Sequence, residues 1–444
     1  MIRVFTAFSG YDSQCMALDR LGIEYELVGW SEIDKYAIQA HNAVYPNWAN
    51  RNYGDISKID WANVPDFDLF TYSFPCTDIS SAGKQKGLQE GSGTRSSLLW
   101  ECRKAIEEKK PKYLLMENVK ALITEKFMPF LMQWERWLTE QGYSNFTKVL
   151  NSKDYGVPQN RERVFMVSLL DEQTYYFPEP FKLKLRLKDV LEQNVDERYY
   201  LNDKMIRCFN KRTEIAKQKG NGFKLQPTDG NVVAKAVTTC AGNRTDDNFL
   251  LEPKVIQVAN IAEEKNFSNP QVGRVYSTQG ISPTIDTMQG GGREPKILTY
   301  TRDEKGKVIN RRAVDIANTI HTSTGSGGNT DSFVLEPNMF TSELDTNGTN
   351  EEPFNDVCVE VVLKEKINNV KAIQDYRIRK LTERECFRLM GVSEADIDKI
   401  QKSGVSKTQQ YKMAGNSIVV DVLYHIFRKL FVEKENENEQ LTLF

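Results

Sequence analysis

Two residues in this chain carry reactive groups in settings that would present them. Cys76 stands in Phe74-Pro75-Cys76, and about forty residues later Glu117 stands in Met116-Glu117-Asn118-Val119. Each lies at or just after a short, mostly apolar run: Asp66 to Ser73 (DFDLFTYS) before the thiol, Pro111 to Met116 (PKYLLM) before the carboxyl group. Such runs, bounded by proline, read as buried parallel strands, and residues leaving the carboxyl ends of those strands line the crevice where ligands bind. A nucleophile and an acid are therefore expected to face one pocket. An ordinary thiol of pKa about 8.5 is only a few per cent ionised at neutral pH, so Cys76 needs activation or a very electrophilic substrate; the competing reading is a buried structural cysteine. A carboxylic acid kept protonated by burial at the position of Glu117 can donate to a ring nitrogen.

Further candidates cluster around this pair. Gln159-Asn160-Arg161-Glu162-Arg163 precedes a strand-like run, and arginines at i and i+2 share a face of an extended segment. One can reach a base carbonyl and the other a phosphate or Glu117, the alternative being a surface salt-bridge edge. The stretch Ser80 to Arg95 (SSAGKQKGLQEGSGTR) holds four glycines, two lysines and an arginine. That composition suits a lid over a polyanion, as well as a plain surface loop. Phe8-Ser9-Gly10 makes a small-residue turn before a helix, where a cofactor can approach the backbone, although a full GxGxxG is missing. Glu32, at the end of a second strand, suits ribose hydroxyls or a helix start, and Asp55-Ile56 after Gly54 is placed to contact an adenine.

The elements that must position these groups alternate. Ile2 to Phe8, Tyr25 to Trp30, Asp68 to Ser73, Tyr113 to Met116 and Arg163 to Leu170 read as strands, with helices over Asp12 to Leu21 and Lys35 to Asn42. This pattern predicts an α/β fold, a doubly wound, mostly parallel sheet with helices on both faces. The 444 residues allow two domains or one large domain with an insertion. The formal charge of -2 neither supports nor excludes a nucleic-acid partner. No run approaches the roughly 18 apolar residues of a membrane span, and the start lacks a signal-peptide layout, so no membrane association and a cytoplasmic location are expected. The seven cysteines are scattered without a CxxC pair, against a disulfide framework or a zinc knuckle, and no metal is expected. Only three histidines exist, so Cys76 is expected to work without a histidine base.

Beyond about Leu187 the chain turns rich in Gly, Asn, Thr and Asp, with short β-prone runs. It contains a weak repeat spaced by about 40 residues. The copies are Ala236 to Pro253, a looser Ile281 to Leu298, and Ala317 to Pro337; their loops carry Gly242-Asn243-Arg244, Gly290 to Arg293, and Gly327 to Asn329. They are either packed hairpins or loops projecting toward a ligand, as glycine-rich loops on a scaffold often do. Helices return over Thr382 to Met390, with a Thr382/Glu385 capping-box pattern, and over Val419 to Phe431, ahead of an acidic tail expected to fray. The expected domains are a catalytic and cofactor-binding part at 1–186, an inserted β-rich part at 187–371, and a part at 372–444 that completes the first.

Taken in order, nine segments resemble the DNA cytosine-5 methyltransferase family, bacterial or phage type: FSG (8–10), SEIDKYA (31–37), GDI (54–56), FPCTDIS (74–80), GKQKGLQEGSGTR (83–95), MENV (116–119), YGVPQNRERVF (155–165), RKLTERECFRLMG (379–391) and QQYKMAGNSIVV (409–420). The resemblance implies that Cys76 attacks C6 of a cytosine flipped from duplex DNA, that Glu117 bonds N3 and the amino group, and that Arg161 and Arg163 hold the base. It implies S-adenosyl-L-methionine as cofactor, bound by Phe8, Ser9, Gly10, Glu32, Ile33, Asp55, Ile56, Pro75, Asn416 and Ser417. It makes the insertion a target-recognition domain, with Ser80, Ser81, Lys84, Lys86 and Arg95 of the lid and Arg244 and Arg293 of the repeats at the DNA. A monomer is expected, with a cognate restriction endonuclease as a partner not required for activity. Two departures stand out. Tyr11-Asp12-Ser13 replaces a more glycine-rich turn, which is expected to loosen or reshape the methionine end of the pocket, and Thr77 stands where glutamine is usual.

Overall fold

The structure, a computed structural model, describes residues 1–76, 78–79, 88–89, 91–253, 257–260, 274–276, 296–302, 308–315 and 376–433. Five strands come where alternation places them: Ile2–Ala7 (β1), Tyr25–Ser31 (β2), Leu69–Tyr72 (β3), Tyr113–Val119 (β4) and, later, Glu162–Leu170 (β7). Between the last two lie Tyr143–Asn151 (β5) and the two-residue Gln159–Asn160 (β6). The six-stranded sheet runs β2-β1-β3-β4-β7-β5. The first four strands are parallel, whereas β7 is antiparallel to both β4 and β5. Mostly parallel is therefore right, and the far edge is the exception.

Successive strand residues feed two separate cores, which is what a sheet covered on both faces requires. Val4, Leu69, Leu115 and Phe165 join one cluster, which holds helix Ser13–Leu21 (α1), helix Lys35–Val44 (α2) and the C-terminal helices. Phe5, Phe70, Leu114 and Val164 join the other, with helices Cys102–Lys109 (α3) and Met128–Glu140 (α4). The doubly wound arrangement is present. Two helix starts show why the chain turns where it does. Asp12 caps α1 by accepting from Cys15 N–H, and Thr382 with Glu385 closes the expected capping box on helix Glu383–Arg388.

The chain divides into two compact units, residues 1–250 with 379–444, and residues 251–378. The second contains a four-stranded sheet, Gln257–Asn260, Arg274–Tyr276, Lys296–Arg302 and Val308–Asp315, in that order and with only the middle pair parallel. This second unit is β-containing, and residues 187–250 belong to the first unit. Among the described residues no helix is long and apolar enough to cross a membrane.

Candidate active site

Register brings the reactive ends together. Ala7 pairs with Ser31 on one side and with Tyr72 on the other, and Tyr72 pairs with Met116. The residues that follow β1 to β3, namely Phe8 to Gly10, Glu32 and Ser73 to Cys76, therefore leave the carboxyl ends of the parallel strands side by side. They lie next to Glu117, which the structure places inside β4, opposite Phe165 of β7, rather than after it.

Glu117 is buried and held on two sides. Ser73 Oγ donates to Oε2 at 3.0 Å, and Arg163 Nε lies 3.1 Å from Oε1. Burial pushes its carboxyl above the usual range, against the opposing charges of Arg163 and Arg161 and the Ser73 hydrogen bond. Next to it Asn118 Nδ2 donates to the Phe74 carbonyl at 2.9 Å, tying the two strand ends together. Cys76 is half-buried. Burial raises its thiol pKa first and the Glu117 carboxylate second, while Arg163 pulls it down. A resting thiol beside a carboxyl group and a guanidinium results.

The structure separates the two arginines. Arg163 meets Glu117, while Arg161, only 3% exposed, donates to three carbonyls: Val237 at 3.0 Å, Gly415 at 2.8 Å and Ser417 at 2.9 Å. Burial lowers its pKa to about 9, with the charge of Arg163 next. It remains within electrostatic reach of Glu117, Cys76 and Tyr11. Gln159 works beside it, bonding Val237 N–H and the Leu389 carbonyl. Close approach here demands a glycine: a Cβ on Gly415 would lie 2.4 Å from the Thr239 nitrogen.

The loop after Cys76 is pinned at both ends. Ser96 Oγ donates to the Pro75 carbonyl at 2.6 Å, and Asp78 accepts from the N–H groups of Arg95 and Ser96 at 3.0 and 3.3 Å. Arg95 itself is exposed. Ser80, Ser81, Lys84, Lys86 and Thr77 lie outside the described residues, as do Arg293, the repeat copy at 317–337 and the tail from 434.

The proposed cofactor residues border open space. A Cβ on Gly10 (φ 59°) or Gly54 would meet no atom within 4 Å, and Ile33 is 71% exposed between them and α2. Glu32 braces the turn by accepting from Gly10, Ile33 and Asp34 N–H groups. Asp55 caps the short turn Ile56–Lys58, and the Ile56 side chain is buried in the core. Ser9 is buried against β1 and β2 through the Thr6 carbonyl and Ser31 carbonyl; Phe8 adopts φ 57°. Asn416 is exposed. The residues that depart from the glycine-rich turn are held by packing and hydrogen bonds. Tyr11 packs edge-on against Phe387 and bonds Ser417 Oγ, and Asp12, at φ 71°, accepts from Thr6 Oγ1. The open space at Gly10 and Gly54 and the carboxyl groups of Glu32 and Asp55 beside it are compatible with a cofactor at the ends of β1 to β3.

Sequence reasoning missed Ser73 and Ser96. Ser73 could have been found from its place directly after a strand facing Glu117; Ser96 had no signal, because its partners lie across a loop.

The model of the C-5 cytosine-specific DNA methylase matches residues 2–432. The chain belongs to that family. The methyltransferase is similar to the orphan methyltransferase M.SPRI of Bacillus phage SPR, 32% identical over 98% of this chain and 99% of that one. It is also similar to the type II methyltransferase M2.ScrFI of Lactococcus lactis subsp. cremoris, 40% identical over 46% of this chain and 72% of that one. Among solved structures it resembles S. pombe Dnmt2 methyltransferase at a TM-score of 0.57 and 16% identity, covering 98% of this chain and all of that one, a likeness of fold. It is a DNA (cytosine-5-)-methyltransferase, of a kind that generally uses S-adenosylmethionine.

Proposed function

We propose that this methyltransferase acts on a cytosine swung out of duplex DNA, within a specific sequence, through a covalent bond from Cys76 Sγ to C6. The observation that carries this is the Ser73–Glu117–Arg163 brace at the strand end next to Cys76. An isolated buried carboxylate would be costly, but here one oxygen is held by a hydroxyl and the other by a guanidinium. With its pKa raised, Glu117 can hold a proton and give it to N3 of the base as Sγ, its own proton lost to solvent, adds to C6. The pair of electrons then gathers at C5. Bound S-adenosylmethionine supplies the electrophilic methyl group there. Removal of the C5 proton by solvent and return of the N3 proton to Glu117 let the C6–Sγ bond break, regenerating the thiolate and the protonated acid.

Arg163 is the arginine that would touch the base and orient Glu117, whereas Arg161 positions the turn at 414–417 and the segment at 237 against β7. Gly10, Glu32, Ile33, Asp55, the Ile56 backbone, Pro75, Asn416 and Ser417 would hold the cofactor. The insertion, with boundaries 187–371, would read the target sequence, and the protein would work as a cytoplasmic monomer that does not require a cognate restriction endonuclease for activity.

Duplex DNA bearing 5-fluorocytosine tests the chemistry, because fluorine blocks the final elimination and leaves the protein attached. An adduct at Cys76 that disappears in Cys76→Ala supports the mechanism; an adduct that persists overturns it. Methyl incorporation into tRNA with none into duplex DNA would replace the substrate reading. Bisulfite sequencing of DNA from expressing cells would give the target context.

A further inference from the structure

We propose that helix Asp203–Gln218 and the turn after it form a second DNA-contacting surface, one that takes duplex phosphates beside the target site. This rests on the reading of duplex DNA as substrate. Between residues 203 and 224 the chain carries seven lysines and arginines against two acids, in a protein whose formal charge is -2. Five of the seven are sorted onto one side, with Lys217 of the same helix falling outside it. At 100° per residue, Lys204, Arg207, Lys211, Arg212 and Lys219 fall within an arc of about 140°. The helix's two acids, Asp203 and Glu214, fall outside that arc. Phe209, Thr213 and Ala216 form the buried face opposite, with Phe209 against Phe249 at 5.6 Å between ring centroids.

All five cations are exposed, and among the described residues none of them joins an ion pair. Elsewhere on this surface arginines find carboxylates: Arg384 meets Glu394 and Asp398, and Arg388 meets Glu394. Like charges at 204/207 and 207/211 repel one another by a few tenths of a kcal/mol per pair on a helix. A polyanion relieves that repulsion, and released counterions drive its binding.

The strip continues into a groove of about 370 Å³, bordered by Arg212, Lys219, Asn221, Phe223, Asn243 and Arg244. Phe223 is 59% exposed, and the Arg244 guanidinium lies over its ring at 4.6 Å while bonding Asp246. Arg244 therefore steadies an exposed aromatic rather than offering a free charge. The loop bearing it is fixed by Asp247, which accepts from Asn243 and Arg244 N–H groups and from Thr238 Oγ1. Its neighbour Val237 is held by Arg161. A positively charged groove with an aromatic wall suits a nucleic-acid backbone.

The experiment compares wild type with Lys204→Gln/Lys211→Gln/Arg212→Gln on a 40-base-pair duplex. Each lost phosphate contact removes roughly 0.9 from the log–log salt slope. The slope is expected to become shallower by about two to three and affinity near physiological salt to fall about tenfold or more. The charge-keeping swap Lys211→Arg/Arg212→Lys is expected to bind as wild type does. Unchanged slope and affinity in the triple variant overturn the proposal, and so does a swap that loses as much as the triple. Exposed Cys208, inside the cationic arc, gives a second readout on the unaltered protein. Duplex should slow its maleimide labelling; an unchanged rate at saturating duplex overturns the proposal. Wild-type methyl transfer is measured separately, so its absence would sink the substrate reading without being confused with a failure of this surface.

Discussion

Arg163 Nε lies 3.1 Å from Glu117 Oε1, an ion pair reached diagonally across two antiparallel strands. The register opposes Glu117 to Phe165 and Val119 to Arg163, so the two side chains span a diagonal that long side chains can bridge. The pair joins the group that would protonate the base to the group that would hold it, and both act on the Cys76 thiol.

Loss of the thiol should end turnover. Cys76→Ala is expected to lower methyl transfer to duplex DNA by on the order of 10³-fold or more. Stability should change little, because the residue is only half-buried. Radiolabelled methyl transfer and a urea titration measure the two effects.

Glu117→Gln should lower kcat by roughly 10²- to 10⁴-fold by removing a proton donor. It should also make the free thiol more acidic, because the Glu117 carboxylate holds the Cys76 pKa up. The pH profile of iodoacetamide reaction at Cys76, read by peptide mass, should shift to lower pH in this variant. In Arg163→Gln it should shift the other way. Equal profiles in all three proteins would remove the coupling on which the mechanism depends.

The same carboxyl group links stability to pH. Its folded-state pKa is raised above the ordinary 4.5, so the folded protein binds that proton more tightly than the unfolded chain does. The resulting stability is complete below the unfolded value and is lost as pH rises through the folded value. Denaturant midpoints of wild type should therefore fall relative to Glu117→Gln as pH rises from about 4.5 toward neutrality.

The two arginines should fail differently. Arg161→Lys leaves the carbonyls of Val237, Gly415 and Ser417 short of donors and should cost about 3 kcal/mol or more of stability. Arg163→Lys should reduce kcat with little loss in the urea midpoint, since an ammonium cannot reproduce the planar contact.

Gly415→Ala should be destabilising by about 1–3 kcal/mol, because the added methyl meets the backbone of Thr238 and Thr239 and one segment must move. A thermal melt reads this directly. An unchanged melt would show that the contact around Arg161 is looser than its distances indicate.

What the sequence determined by itself was local. The apolar run ending in Ser73 located one strand end to within a residue, and the run ending in Met116 located a second strand that continues to Val119. Thr382 with Glu385 located a helix start, because strand burial and capping depend on neighbours a few residues away. Nine family-like segments in order determined the class of chemistry. Edge strand β5 escaped notice because Tyr143–Asn151 is mostly half-exposed and its pattern is polar. Only the tertiary structure decided which arginine meets Glu117 and which spans to residues 237, 415 and 417. Those partners are 76, 254 and 256 residues from Arg161, and packing between distant segments, with no local periodicity to announce it, brings them together.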